Sequence, residues 1–127
     1  MCVLSKVLYG TLSSTSYTPQ PPSTLSYLTS LFFSPPPLTC PPPVLSTSTP
    51  STQPLVLTPR IGNVHSFKSG SEGAAVLDVI APTYDDEEGR ECGYYESGGG
   101  EEGGVVTLRR CGEPDFFRCR VGTIEEG

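Results

Sequence analysis

The stretch NVHSFKSGSEGAAVLDVIAPTYDDEEGRECGYY, residues 63–95, is the part of this sequence most typical of a folded domain. It contains the only histidine of the 127 residues, His65, and the densest apolar run, AAVLDVI at residues 74–80. That run is apolar except at Asp78, a pattern that indicates a strand buried on both faces. Because an acid in such a strand costs free energy unless it is paired or hydrogen-bonded, Asp78 is a candidate functional residue.

The sequence on either side of this run favours further short strands. β-branched and aromatic residues predict strands at residues 1–10, 55–57, 64–67, 92–95, 105–108 and 116–121. Between them we expect a hairpin-like connection at 68–73, a solvated acidic loop at 81–89 and a flexible glycine-rich loop at 97–104. No segment has helical periodicity, so the folded part is predicted to be all-β.

A different composition occupies residues 11–59. Of these 49 residues, 32 are Ser, Thr or Pro, and none is charged or glycine. Proline removes ladder donors and Ser and Thr bury little, so we expect a disordered tract without a helix or central strand. Its triple-proline runs at 35–37 and 41–43 fit either a spacer or a polyproline II ligand for SH3 or WW domains. The predicted organisation is therefore a first strand at 1–10, the tract, and a folded part at 60–127.

Charge and cysteine usage exclude several classes of protein. A net charge of −6 with only 8 Lys and Arg argues against a nucleic-acid groove. No run of about 18 apolar residues is present, so we expect no membrane span. The five cysteines include no C-x-x-C pair, which argues against a disulfide framework or zinc knuckle and favours reduced thiols in the cytoplasm or nucleus. We expect a monomer.

Several segments together resemble the plant cysteine oxidase and cysteamine dioxygenase family of thiol dioxygenases. The central likeness is a histidine segment, then L-D-hydrophobic-hydrophobic-x-P-x-Y, then G-R-x-C-x-Y-Y. The matching segments are MCVLSKVLYG (1–10) with Ser16 and Tyr17, VLTPRIGNVHSF (56–67), AAVLDVIAPTY (74–84), GRECGYY (89–95) and, more loosely, EPDFFRCRVG (113–122).

The resemblance implies a cupin-like double-stranded β-helix, or jelly roll, with a non-haem Fe(II) held by three histidines. His65 matches the third ligand, and neutral imidazole is a suitable ligand for Fe(II). Asp78 and Tyr84 match pocket residues that orient the substrate amine or bound oxygen, and Cys92 and Tyr94 match a Cys-x-Tyr pair near the pocket. The implied reaction oxidises a cysteine thiol, free or at a protein N-terminus, to the sulfinic acid with O₂.

The sequence departs from the family pattern at the other two ligands. The family carries an H-x-H just before the segment that resembles residues 1–10, and this sequence starts at that segment. We therefore expect a fold incomplete at its N-terminus and an iron site lacking two histidines. The alternative function is a truncated or degenerate, non-catalytic cupin remnant with a Pro-rich interaction segment.

Plainer explanations remain open for each candidate residue. A lone histidine on a strand is commonly structural. A buried acid such as Asp78 can be capped by backbone N–H groups. Cys92 and Tyr94 can be core residues, since free cysteine is often buried.

Overall fold

The computed structural model describes residues 1–22, 28, 36–100 and 104–115. Its named elements are seven strands: β1 (Cys2–Tyr17), β2 (Leu38–Cys40), β3 (Val44–Ser48), β4 (Leu55–Leu57), β5 (Val64–Ala81), β6 (Tyr94–Gly100) and β7 (Val106–Cys111). The all-β prediction is confirmed, and the jelly roll stays a prediction. Within the described part of the chain, no helix is both long and apolar enough to cross a bilayer.

β1 is the centre of the larger sheet. It pairs antiparallel with β5 along nearly its whole length, from Cys2 opposite Ala81 to Tyr17 opposite Val64. Its other edge pairs with β4 near its start and with β3 near its end. Lys6 reinforces this arrangement, because its Nζ donates to the carbonyls of Pro50 and Thr52 at 2.8 and 2.6 Å in the turn between β3 and β4.

The buried face of β1 changes phase half-way along the strand. Val3, Ser5 and Val7 are buried in the first half, whereas Leu12 and Ser14 are buried in the second. Alternation alone would send an even-numbered residue to the opposite face from an odd-numbered one. Register shifts between Val7 and Leu12 move the strand by one position, so both halves bury their side chains on one continuous inner face.

Residues 11–17 belong to this central strand, and the prediction that the tract forms no central strand is wrong there. These residues contain no proline, and their hydroxyls find partners, as when the Ser14 and Ser46 Oγ atoms approach to 2.6 Å. Paired hydroxyls and β-branched residues fit a pleated sheet. The described remainder of the tract adds β2, β3 and β4, so the predicted disorder is not confirmed.

The hairpin expected at residues 68–73 is also wrong. β5 runs continuously through this segment, and the parts on either side both pair with β1 rather than with each other. Gly10 is opposite Ala74 while Leu12 is opposite Ser69, so residues 70–73 bulge opposite Thr11 alone. The polar residues of this segment thus mark a bulge and not a reversal of the chain.

A second sheet has the order β2-β7-β6. Its buried cluster consists of Cys40, Val106 and Leu108, against which Tyr17 and Val64 of the larger sheet pack. Burial raises the pKa of the Cys40 thiol. The glycine-rich loop expected at 97–104 is partly strand, since β6 extends to Gly100. The strand predicted at 116–121 lies outside the described residues.

The long run at 74–80 is less buried than its composition predicts. Leu77 and Val79 are 53% and 55% exposed. They lie on the outer face of β5, beside the exposed Leu4 of β1. The prediction of a strand buried on both faces is therefore wrong within the described part of the chain.

Candidate functional site

Two of the predicted site residues, His65 and Asp78, lie on the inner face of the β1–β5 ribbon, near opposite ends of β5. Asp78 is opposite Ser5, and His65 is opposite Ser16, near the other end of β1. Directly opposed residues of antiparallel strands share a face. Both side chains therefore belong to the inner face, one at each end of the ribbon.

Curvature of the ribbon brings its two ends together. Gly62 has a φ of 64°, and a Cβ added there would lie 3.1 Å from Leu57 Cδ2 and 3.3 Å from Ser16 Cβ. Leu57 pairs with Val3 at the start of β1, and Ser16 is near the end of β1. Because Gly62 contacts both Leu57 and Ser16, the two ends of β1 are close together. His65 and Asp78 consequently face one cleft.

The cleft has a volume of about 900 Å³, and all five predicted site residues line it. Strand β5 supplies His65 and Asp78, the following loop supplies Tyr84 and Cys92, and β6 supplies Tyr94. The sequence motifs therefore converge in space, although the role of each residue stays a prediction.

His65 is half-buried and has an unusual polar atom. Its Nδ1 is buried and makes no hydrogen bond to a described residue. The imidazole packs against Phe67 with ring centroids 4.9 Å apart. Burial lowers the pKa of His65, while the charge of Asp78 and polar backbone contacts at Asn63 and Gly62, which fall short of hydrogen-bond geometry, oppose the shift. A neutral imidazole with an unsatisfied ring nitrogen at a cleft is suited to binding a ligand.

Tyr84 and Cys92 also line the cleft. Partial burial, a side-chain hydrogen bond with the Cys92 thiol, and nearby charge at Cys92, Tyr94 and Asp78 raise the pKa of Tyr84 to about 12. The phenol is therefore protonated at neutral pH and can donate a hydrogen bond into the cleft. Cys92 is exposed, so the explanation that it is a core residue is wrong.

Asp78 is exposed toward the cleft, so the explanation that it is a buried, capped acid is also wrong. No ion pair joins it to a cation among the described side chains. A carboxylate in this position can accept hydrogen bonds from a substrate ammonium group.

Arg90 holds the loop that carries Tyr84 and Cys92. Its guanidinium contacts Asp85 at 3.2 Å and Glu88 at 2.6 Å, and its Nε donates to the Thr83 carbonyl. Asp85 and Arg90 also exchange two backbone hydrogen bonds. The acidic segment is therefore an ordered turn, and the Arg of the G-R-x-C-x-Y-Y motif closes it.

The rim of the cleft includes residues that the sequence did not single out. Arg110 of β7 donates to Glu91 at 2.6 Å, which joins β7 to the loop before Cys92. Phe67 also lines the cleft. Arg110 and Glu91 are 19 positions apart, and the antiparallel pairing of β6 with β7, in which Arg110 is opposite Tyr95, brings them together.

The profile of one protein family, PCO_ADO, matches residues 1–114. The chain belongs to this family. PCO_ADO is the plant cysteine oxidase and cysteamine dioxygenase family that the motifs resemble, and the match includes the whole cleft as far as Pro114.

Three relatives extend the comparison. Mouse 2-aminoethanethiol dioxygenase is 47% identical over 47 residues, which are 37% of this chain and 18% of that protein. The human protein of the same name is 43% identical over 47 residues, 37% of this chain and 17% of its own length. A probable 2-aminoethanethiol dioxygenase of Dictyostelium discoideum is 49% identical over 37 residues, 29% of this chain and 17% of that protein. The matches thus cover less than a fifth of each relative.

The iron expected for a PCO_ADO protein can be tested against the donor atoms of this chain. His65 Nδ1 is an orphaned buried atom suited to a metal. However, no group of three or more His, Cys, Asp or Glu able to hold a metal exists among the described residues, and the sequence has one histidine. The donors of this chain do not fit a three-histidine centre.

Proposed function

We propose that this cleft binds the substrate of a thiol dioxygenase, which oxidises a cysteine thiol, free or at a protein N-terminus, to the sulfinic acid. Membership of the PCO_ADO family and the two mammalian relatives support this activity. The observation that carries the proposal is the convergence of His65, Asp78, Tyr84, Cys92 and Tyr94 on one cleft of a cupin-like β fold. A jelly roll is the architecture we propose for the whole domain.

The proposed reaction adds both atoms of O₂ to sulfur, so that R–SH becomes R–SO₂H and no other reductant is needed. The side chains of this chain bind and orient the substrate. Asp78 accepts hydrogen bonds from an ammonium group next to the thiol, as in a cysteamine-like molecule. Tyr84 donates its O–H to the sulfur or to its developing oxygen atoms, and Cys92 orients that phenol.

The presence of only one histidine in the sequence favours a second, non-catalytic function. A non-catalytic cupin remnant would keep the fold and cleft without completing a metal centre. In that case the proline-rich segments are the interacting part. Pro42 of the run at 41–43 is exposed between β2 and β3, where an SH3 or WW domain can reach it.

Substrate binding distinguishes the two functions without depending on a metal. The ¹⁵N-labelled chain would be titrated with cysteamine, and with 2-mercaptoethanol as the matched ligand lacking the amine. We expect saturable shifts at the amides around Asp78 and Tyr84 with cysteamine, and weaker binding of it by Asp78→Asn. Equal shifts with both ligands, or none with either, would refute the substrate cleft and leave the remnant.

Catalysis is tested by iron content and product mass. With one imidazole, we expect the isolated chain to hold less than one equivalent of Fe(II) and to form no sulfinic acid. One equivalent of iron, with two ¹⁸O atoms from ¹⁸O₂ in the product, would contradict that expectation and locate the whole reaction in this chain. Loss of both signals in His65→Ala would then identify the ligand.

A further inference from the structure

The hydroxyl of Ser5 is buried without a hydrogen-bond partner among the described residues. Ser5 is 4% exposed, and its Oγ atom makes no hydrogen bond to any of them. Ser14, the other buried serine of β1, is 3% exposed, but its Oγ lies 2.6 Å from the Ser46 Oγ. A buried hydroxyl without a partner destabilises a fold, so the unpaired Ser5 hydroxyl calls for an explanation.

Asp78 is the polar neighbour of Ser5 on the inner face of the β1–β5 ribbon. In the strand register, Ser5 is directly opposite Asp78 of β5 and Leu55 of β4. Val3 and Val7, two positions away along β1, share the buried face of Ser5. Of these four neighbours, only Asp78 has a side chain that can accept a hydrogen bond.

Ser5 and Asp78 are close enough to form a hydrogen bond that this structure does not contain. Directly opposed residues of antiparallel strands have Cβ atoms about 4.5–5.5 Å apart, so rotation about χ1 can bring a hydroxyl and a carboxylate together. Asp78 is exposed and lines the cleft. Turning a carboxylate from water toward a buried hydroxyl costs free energy unless a cation accompanies it.

We propose that Ser5 is a positioning residue for Asp78: its Oγ–H donates to the Asp78 carboxylate when that carboxylate binds the ammonium group of an aminothiol. The ammonium group neutralises the carboxylate and so lowers the cost of the inward orientation. The hydrogen bond from Ser5 then fixes the carboxylate on the ligand, because a hydroxyl that donates to an ionised acceptor makes a short, strong bond. This role rests on the proposed aminothiol-binding function, and it adds a residue that lies behind the lining of the cleft.

Cysteamine titrations of the ¹⁵N-labelled chain, with 2-mercaptoethanol as the ligand without an amine, test the role of Ser5. We expect Ser5→Ala to weaken cysteamine binding about tenfold, because a hydrogen bond to a charged group is lost. The response to 2-mercaptoethanol should be unchanged. In an Asp78→Ala background, Ser5→Ala should weaken cysteamine binding by less than about twofold, because the residue that Ser5 positions is absent.

Ser14→Ala is the matched control. Ser14 lies on the same strand and is as buried as Ser5, but its hydroxyl is paired with that of Ser46. We expect Ser14→Ala to lower the urea midpoint, because it leaves Ser46 without this partner, and to leave cysteamine binding unchanged. Ser5→Ala should not lower the urea midpoint measured without cysteamine, because the hydroxyl that it removes is unpaired.

The possible results distinguish the role of Ser5 from the proposed function of the cleft. No saturable binding of cysteamine by the wild-type chain would overturn both. Saturable binding that Ser5→Ala leaves unchanged would overturn the role of Ser5 alone, as would a tenfold loss that persists in the Asp78→Ala background. Equal losses of binding in Ser5→Ala and Ser14→Ala would identify a general effect on the fold and would also overturn the role of Ser5.

Discussion

Replacing Gly10 by alanine should destabilise the fold more than the same change at its neighbour across the ribbon, Gly73. Gly10 has a φ of 72° and Gly73 a φ of 79°, so alanine at either site enters the left-handed region. That conformation costs an L-residue about 1–2 kcal/mol. The two sites therefore share the same backbone penalty.

The sites differ in what a new methyl group meets. At Gly10 a Cβ would overlap the backbone carbonyl oxygen of Gly73, well inside the 3.0 Å that real Cβ contacts keep, whereas at Gly73 nothing lies within 4 Å. Forcing an extra carbon against packed atoms costs about 1–3 kcal/mol. The expected loss of unfolding free energy is thus about 2–5 kcal/mol for Gly10→Ala and about 1–2 kcal/mol for Gly73→Ala.

Urea unfolding followed by far-UV circular dichroism measures both variants. With a slope of about 1–3 kcal/mol per molar urea, the extra cost at Gly10 should lower the midpoint by roughly 1 M relative to Gly73→Ala. The slope should be the same for both variants. Equal midpoints would refute the close approach of the two glycines and, with it, the register at the bulge.

Three further predictions concern the cleft. Cys92→Ala should lower the pKa of Tyr84 from about 12, because the hydrogen bond with the Cys92 thiol is lost. The pKa should stay above its usual value, because partial burial of the phenol is the largest cause of the shift, and the absorbance of the phenolate measures the titration. The pKa of His65 is lower in the folded chain than in the unfolded chain, so a proton binds better to the unfolded chain. The free energy of unfolding should therefore fall as the pH drops below about 6.5, and urea midpoints measured at several pH values test this. Arg90→Leu should speed hydrogen exchange of the Asp85 amide, which NMR detects, because the contacts that close the turn are lost.

Matched variants control these measurements. Tyr84→Phe identifies the high-pKa phenol among the six tyrosines, and an unchanged titration in Cys92→Ala would contradict the hydrogen bond. His65→Asn should remove the contribution of His65 to the pH dependence of the unfolding free energy. If that free energy still falls as steeply below pH 6.5, another group causes the pH dependence. Arg109→Leu, on the exposed part of β7, should leave exchange at Asp85 unchanged.

Local composition predicts a strand correctly where β-branched and apolar residues within the segment itself favour it. Leu55–Leu57 is a strand as expected from its β-branched and aliphatic residues. Residues 11–17 were mispredicted because the partners that satisfy their hydroxyls lie about thirty positions away in β3, a distance that no short window includes. The composition of residues 68–73 predicts a hairpin-like connection rather than a bulge for the same reason, since the decisive partner, Thr11, is remote in sequence.

The resemblance to the family motifs identified five residues that line one cleft. It did not predict the strand geometry that brings them together. His65 and Asp78 meet because β1 changes phase and the ribbon curves, and neither event leaves a periodic signal. The environment of Asp78 was also beyond the sequence. An apolar run indicates burial, yet one side of this strand faces the cleft and the other side is exposed at Leu77 and Val79.

The phase change in β1 also determines where this chain can vary in length. Removing one residue between Val7 and Leu12 would restore simple alternation, so Leu12 and Ser14 would stay inward once the register shift is lost, and only a strand that kept the shift would turn them outward. Residues 70–73 have no such constraint, because they face Thr11 alone and both flanks keep their own pairing. Among natural variants of this chain, residues 70–73 should therefore vary freely in length, whereas a one-residue change between Val7 and Leu12 should occur only together with loss of the register shift there.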